Sequence, residues 1–155
     1  MARPASRAVT RAGMFIALPL LAAFAAISAT SAPASPDRIE ARFERCSGSH
    51  RVTCVVDGDT IWLEGTKIRL SDINTPEVSQ PGCAHERALA ETASERLLGL
   101  LNQGPFSLAR KGRDEDRYGR KLRVVLRGGT SLGEVLVAEG LAERWSGRRK
   151  DWCAA

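Results

Sequence analysis

Val55-Val56-Asp57-Gly58-Asp59-Thr60-Ile61-Trp62-Leu63, followed closely by Ile68-Arg69-Leu70 and Asn74-Thr75-Pro76-Glu77, decides how the rest of the chain is read. β-branched and aromatic residues on either side of an Asp-Gly pair predict two strands joined at an acidic turn. A third strand follows, and Pro76 ends it because proline cannot donate to a ladder. Apolar strands specify a fold without needing two carboxylates, an amide and an arginine at their junctions. Asp59, Arg69, Asn74 and Glu77 therefore point to chemistry, in which a hard cation prefers oxygen ligands and arginine recognises an anion. Taken singly, each residue has an ordinary reading. Asp57-Gly58-Asp59 is a common turn, Glu77 after Thr75-Pro76 can open a helical turn, and Arg69 between two apolar residues can face solvent. If Arg69 instead faces a pocket, it needs an anionic partner there.

Working outward, the first strand reads from residue 51, with Val52, Cys54 and Val56 alternating. Residues 60–63 form the second strand and residues 67–73 the third, with Ile68 and Leu70 on one face. Pro81-Gly82 marks a turn. Residues 84–101 follow a helical period through Leu89, Ala93, Leu97 and Leu100 or Leu101. Residues 106–109 and 121–127 read as strands, the latter with Leu122, Val124 and Leu126 alternating with Lys121, Arg123, Val125 and Arg127. Ser131 to Glu134 has the spacing of a capping box for a short second helix, and Gly140 stops it. This is an α+β order, suited to a five-stranded barrel with two or three helices. The pattern permits closure of that barrel without requiring it.

Residues 1–34 are expected to be a secretory signal peptide. Arg3, Arg7 and Arg11 precede an apolar block from Met14 to Ile27, and Ala32-Pro33-Ala34 resembles a cleavage site. The expected location is therefore periplasmic or extracellular, with no stable membrane association once the leader is removed; an uncleaved leader would anchor the chain. The leader holds three of the 23 basic residues and none of the 18 acidic ones, which leaves the remainder at +2. The placement of charge then matters more than its sum. Residues 35–50 read as a linker and the start of a hairpin, and residues 51–155 as one domain with a basic tail.

The cysteines are Cys46, Cys54, Cys83 and Cys153. An even number in an exported chain implies disulfides, and four allow three pairings. The expected pairs are Cys46–Cys54, flanking the turn-like Ser47-Gly48-Ser49, and Cys83–Cys153, tying the tail to the loop after Glu77. Metal ligation by cysteine is disfavoured by the lack of a C-x-x-C pair.

Farther along, Asp116-Arg117-Tyr118-Gly119-Arg120 reads as a solvated loop or, with its arginines, as a phosphate site. Two arginines, two carboxylates and an oxygen-rich strand end suit phosphodiester hydrolysis with a hard cation. Basic residues also cluster, including Arg117 and Lys121 in one segment and Arg148, Arg149 and Lys150 in another. Such clusters track a nucleic-acid backbone or simply face water.

Val56 to Thr60, Ile68-Arg69-Leu70, Thr75-Pro76-Glu77 and Asp116 to Arg120, in this order, resemble the staphylococcal-nuclease-like (thermonuclease) family. Residues 136–142 also look like its second-helix segment, so the resemblance covers about residues 51–145. It implies an OB-fold β-barrel and calcium-dependent cleavage of DNA or RNA that leaves a 3′-phosphate and a 5′-hydroxyl. It further implies that Asp59 and the Thr75 carbonyl bind the metal and that Arg69 and Arg120 contact the scissile phosphate. Glu77 would activate water and Tyr118 would bond substrate phosphate, with Arg117 and Lys121 as further substrate contacts.

The chain departs from that pattern. Asn74 stands where the family has a second metal-binding acid, so weaker binding or another divalent cation is expected. Asp72, two residues earlier, is a candidate to compensate through water. Ser146 and Arg148 replace base-stacking tyrosines, leaving Trp145 or Trp152 to offer a stacking face. The family's third helix has no counterpart, and the Cys83–Cys153 bridge is expected to anchor the tail in its place. The expected protein is thus an exported, metal-dependent, monomeric nuclease. A non-catalytic OB-fold that binds nucleic acid is the alternative, and an envelope interaction module is a third with no positive support.

Overall fold

The computed structural model describes residues 36–154, so the leader expected at 1–34 lies outside the described residues. In chain order the elements are β1 (Glu44–Arg45), β2 (Cys54–Asp57), β3 (Thr60–Leu63), β4 (Thr66–Leu70), β5 (Ile73–Asn74), α1 (Ala84–Leu101), β6 (Ser107–Ala109), β7 (Lys121–Arg127), β8 (Thr130–Ser131), α2 (Leu132–Ala138) and β9 (Glu143–Arg144). Seven strands make one sheet in the order β1-β2-β3-β4-β7-β6, with β8 on β7, and β5 pairs β9 separately. The sheet is mixed: β1–β2 and β4–β7 are parallel and the other pairs antiparallel. The fold is therefore α+β with two helices. The five expected strands persist as β2, β3, β4, β6 and β7, and four two-residue strands join them. A ladder from β6 back to β1, which would close the sheet, is not among the described pairings.

The core lies between this sheet and the two helices. Phe43, Val55, Ile61, Leu70, Ile73, Leu97, Leu101, Phe106, Val125 and Leu136 are buried in it. Burying one such side chain contributes roughly 1.5–3 kcal/mol before the entropy of ordering is charged against it. Helix α1 lies on β2 and α2 lies on β7 and α1. Cys83 caps α1, its Sγ accepting from the Glu86 N–H. The disulfides join Cys46 to Cys54 and Cys83 to Cys153, with Cα atoms 4.9 and 6.0 Å apart.

Three local readings of the sequence change. Val52 is exposed and lies before β2, whose deepest residue is Val55 rather than Val56. On β7 the buried residue is Val125, which shares its face with Arg123 and Arg127. Those arginines are only half-buried, and their guanidinium groups find polar partners. Arg127 donates to the Pro105, Leu100 and Gly104 carbonyls, and Arg123 pairs with Asp114. Period-two alternation therefore does not by itself say which face is the core, because long basic side chains can leave a core face while their stems stay on it. The capping box at α2 is half formed. Ser131 Oγ accepts the Glu134 N–H, but the Glu134 carboxylate pairs with Arg144 at 2.6 Å.

The break in the third expected strand positions the site. β4 ends at Leu70, whose N–H donates to the Asp59 carbonyl at 2.8 Å. Arg69 Nη1 donates to the Leu70 carbonyl and, at 3.0 Å, to that of Ile73, folding its guanidinium under the turn at Ser71-Asp72. The chain then leaves the sheet and pairs with β9, Ile73 opposite Arg144 and Asn74 opposite Glu143. Among the described residues no helix is long and apolar enough to cross a membrane.

Candidate functional site

The β2–β3 turn brings its carboxylates to the end of β5. Gly58 makes this approach possible: a Cβ there would meet Ala93 Cβ and Thr75 Cγ2, both at 2.8 Å. Asp59 is buried at 6% exposure, and a buried carboxylate needs partners. Its Oδ1 accepts the Thr60 hydroxyl at 3.0 Å. Its Oδ2 accepts the Thr75 N–H at 2.9 Å and meets Arg69 Nη2 at 3.0 Å. The same Nη2 donates to Asn74 Oδ1 at 3.3 Å. Asp59, Arg69, Asn74 and Thr75 are therefore one cluster.

Asn74 is held on its other side as well. Its Nδ2 donates to Glu143 Oε1 at 3.1 Å. With a donor facing Oδ1 and an acceptor facing Nδ2, the amide has one orientation that satisfies both. Asp57, on the near side of the turn, accepts the Asp59 N–H at 3.1 Å. Burial first, then the neighbouring Asp59 charge with a smaller part from Glu77, pushes the Asp57 carboxyl up to about 7. Part of the residue reaches solvent, but its atoms are closely surrounded.

A groove of about 630 Å³ opens beside this cluster, and its lining includes Arg69, Asn74, Arg117, Tyr118 and Arg120. The two arginines expected to share a site, Arg69 on β4 and Arg120 just before β7, thus face one space. Asp116 positions Arg120: its Oδ2 accepts from Arg120 Nε at 2.6 Å and its Oδ1 from the Arg120 and Tyr118 amides. Burial raises the Asp116 pKa, but these bonds together outweigh it and hold the carboxyl below its usual range. Arg117 lies over the Tyr118 ring at 4.8 Å and donates to its hydroxyl at 2.6 Å.

Other expected residues sit apart. Glu77 does not line the groove; its Oε1 pairs with Arg149 Nη1 at 2.8 Å, and Arg149 does line it. Lys121 is also outside, its Nζ tied to Asp114 at 2.7 Å and Glu115 at 2.6 Å. Asp72 accepts the Ser131 hydroxyl through Oδ2, so it serves the start of α2. Trp145 lines the groove at 45% exposure, whereas Trp152 is buried. Asp57, Glu143 and Arg149 are neighbours of the cluster that the sequence did not single out as site residues. Asp57 and Arg149 stood inside motifs already noted, but nothing local marked Glu143, which meets Asn74 only through the β5–β9 pairing.

No three His, Cys, Asp or Glu side chains among the described residues converge to hold an ion. Asp59 Oδ2 and Asn74 Oδ1 nevertheless converge on one positive group, the Arg69 guanidinium, and Asp57 lies beside them with its proton held by burial first and then by the Asp59 charge. Oxygen donors of this kind suit a hard divalent cation, here with a low count of charged ligands.

Residues 67–152 match the model of the staphylococcal nuclease homologue family. That span contains Arg69, Asn74, Thr75, Glu77 and Arg120 and begins after Asp59. Over 92 residues, 56% of this chain, the sequence is 39% identical to endonuclease YncB of Bacillus subtilis (strain 168) and to the SPbeta prophage-derived endonuclease YokF of the same organism. The aligned part spans 43% and 31% of those relatives, less than half of either. With the family match covering more than half of its residues, the chain belongs to the staphylococcal nuclease homologue family.

Proposed function

We propose that the protein is an exported, divalent-cation-dependent nuclease that hydrolyses phosphodiester bonds of DNA or RNA and leaves 3′-phosphate ends. The observation that carries this reading is the convergence of Arg69 and Arg120, from distant parts of the chain, on one groove beside the Asp59–Asn74 cluster. The two endonuclease relatives support it. The exported location rests on the leader and agrees with the two disulfides. A monomer is the proposed state.

Asp59, Asn74 and the Thr75 carbonyl would hold the cation, with calcium the first candidate. When bound, such an ion supplies positive charge that offsets the phosphate and its developing negative charge. The rest is assigned to side chains. Arg69 and Arg120 each present a planar fork to the phosphate, hold it in place and offset the charge that grows on its oxygens. Glu77 takes a proton from the attacking water. The water oxygen bonds to phosphorus, the bond from phosphorus to the 5′-oxygen breaks, and the leaving oxygen takes a proton from solvent. Tyr118, 67% exposed at the groove, and Trp145 offer a hydroxyl and aromatic faces to a flexible strand. Arg117 lies beside them, and Lys121 contributes only if its two acidic partners release it.

A second reading, a nucleic-acid-binding domain without catalysis, is favoured by two observations: the amide at 74 and the engagement of the Glu77 carboxylate by Arg149. One experiment separates the two. Purified protein is incubated with denatured DNA or RNA in calcium or EDTA, beside Glu77→Gln. The nuclease reading expects calcium-dependent fragments with 3′-phosphate ends and a large loss in Glu77→Gln. Binding that weakens with salt, without cleavage under any divalent cation, would leave only the binding domain.

A further inference from the structure

The segment 147–153 reaches the site at several points at once. Arg149 Nη1 meets Glu77 Oε1 at 2.8 Å, and Arg149 lines the same groove as Arg69 and Arg120. The Lys150 N–H donates to Glu143 Oε1 at 2.7 Å, the atom that also accepts Asn74 Nδ2. Trp152 is buried at 7% exposure, and Cys153 is bonded to Cys83 at the start of α1. One short segment therefore touches both the proposed base and a partner of the proposed cation site.

We propose that Arg149 is a positioning residue for Glu77, held in place by the Cys83–Cys153 tether, so that the site is complete only with that disulfide closed. This rests on the nuclease reading above. Arg149 is 66% exposed, and an exposed ion pair on a free segment contributes little, because ordering two long side chains offsets most of its gain. Anchoring at Trp152 and Cys153 removes part of that cost in advance. The guanidinium then occupies one Glu77 oxygen and leaves the other for the attacking water. Arg149 also lines the groove, where a phosphodiester can accept from its remaining N–H groups. A phosphate held by the same fork that holds the base fixes the distance between base and reacting centre. The tether also makes the arrangement sensitive to thiols. A reductant of the dithiol class takes up the disulfide, leaving two protein thiols and its own oxidised form, and frees the segment from α1.

The test measures kcat and KM for single-stranded DNA with oxidised wild type, Arg149→Ala and Arg149→Lys, each before and after mild reduction. Circular dichroism follows the fold throughout. Oxidised Arg149→Ala is expected to lose about tenfold or more in kcat with KM changed less, because geometry at the base is affected more than overall binding. Arg149→Lys is expected to recover part of that loss. Reduction of wild type is expected to lower kcat by a similar factor, and reduction of Arg149→Ala to add little. That non-additivity separates positioning from general stability, since a purely structural tether gives losses that multiply. Cys83→Ser/Cys153→Ser is a second route to the open tether, and it should match reduced wild type. An active wild type with unchanged kcat in Arg149→Ala would overturn this inference alone. A wild type inactive under every divalent cation would overturn the nuclease reading, and this inference with it.

Discussion

Asn74 donates its amide to Glu143 across the β5–β9 pairing, so the carboxylate opposite residue 74 belongs to the other strand. An aspartate at 74 would face that carboxylate at the 3.1 Å now spanned by a hydrogen bond. Like charges at hydrogen-bond distance drive one of them to take a proton. The amide at 74 is thus matched to Glu143, and restoring the acid alone should not restore a strong cation site. Asn74→Asp is expected to bind calcium no better than wild type by titration calorimetry. Asn74→Asp with Glu143→Gln is expected to bind it tighter by a factor on the order of ten, since affinity follows the count of charged ligands. A tenfold gain in Asn74→Asp alone would show that Glu143 does not set the charge at this position.

Arg120 depends on Asp116 in a different way. Its Nε is fixed by a 2.6 Å bond, and the same carboxylate holds two loop amides. Arg120→Ala is expected to lower kcat about 100-fold, the scale for losing one donor aimed at developing charge. Asp116→Asn keeps the arginine but loosens its aim, and is expected to lower kcat less and to make the loop more open to proteases. Arg120→Lys is expected to recover little, because an ammonium lacks the planar fork. Steady-state kinetics on the three variants check the order.

Asp57 gives the site a signature without cation. Its carboxyl is raised from an ordinary 3.8 to about 7 in the folded protein, so the folded state holds a proton that the unfolded state has released. Between those values, stability falls as pH rises, and below the lower one the effect is fully present. In EDTA, urea unfolding is expected to show lower stability at pH 8 than at pH 5.5, with Asp57→Asn reducing that slope. Equal slopes in the two proteins would remove Asp57 as its source.

These relationships show where the sequence was informative. Residues 84–101 follow a helical period over five turns and end at Asn102, and α1 has those bounds. Asp59, Arg69, Asn74 and Thr75 lie within one stretch of chain, so their clustering needed only a hairpin and a turn. The burial of Val125 was not legible, because alternation does not say which parity faces the core when arginines share it. Glu143 and Arg149 were invisible as site residues for a further reason. Glu143 reaches Asn74 through a two-residue ladder, and Arg149 reaches Glu77 through a segment fixed by a disulfide and a buried tryptophan. Neither contact has a local pattern in the chain.

Gly58 tests whether the acidic turn must lie against α1. It is not at a positive φ, so its role is space rather than backbone freedom. A Cβ at this position falls 2.8 Å from Ala93 Cβ, which is rigidly placed on α1, and 2.8 Å from Thr75 Cγ2. Neither neighbour is the far end of a flexible side chain, so the turn or the helix has to move. Gly58→Ala is expected to cost about 1–3 kcal/mol, the usual range for overpacking. It should also shift Asp59 away from the Thr75 N–H and Arg69. Gly58→Ala/Ala93→Gly removes one of the two clashes, and should recover part of the stability and of the cation affinity together. Thermal unfolding and calcium titration on the pair check this; recovery of stability without recovery of affinity would show that the turn's approach to α1 does not govern the cation site.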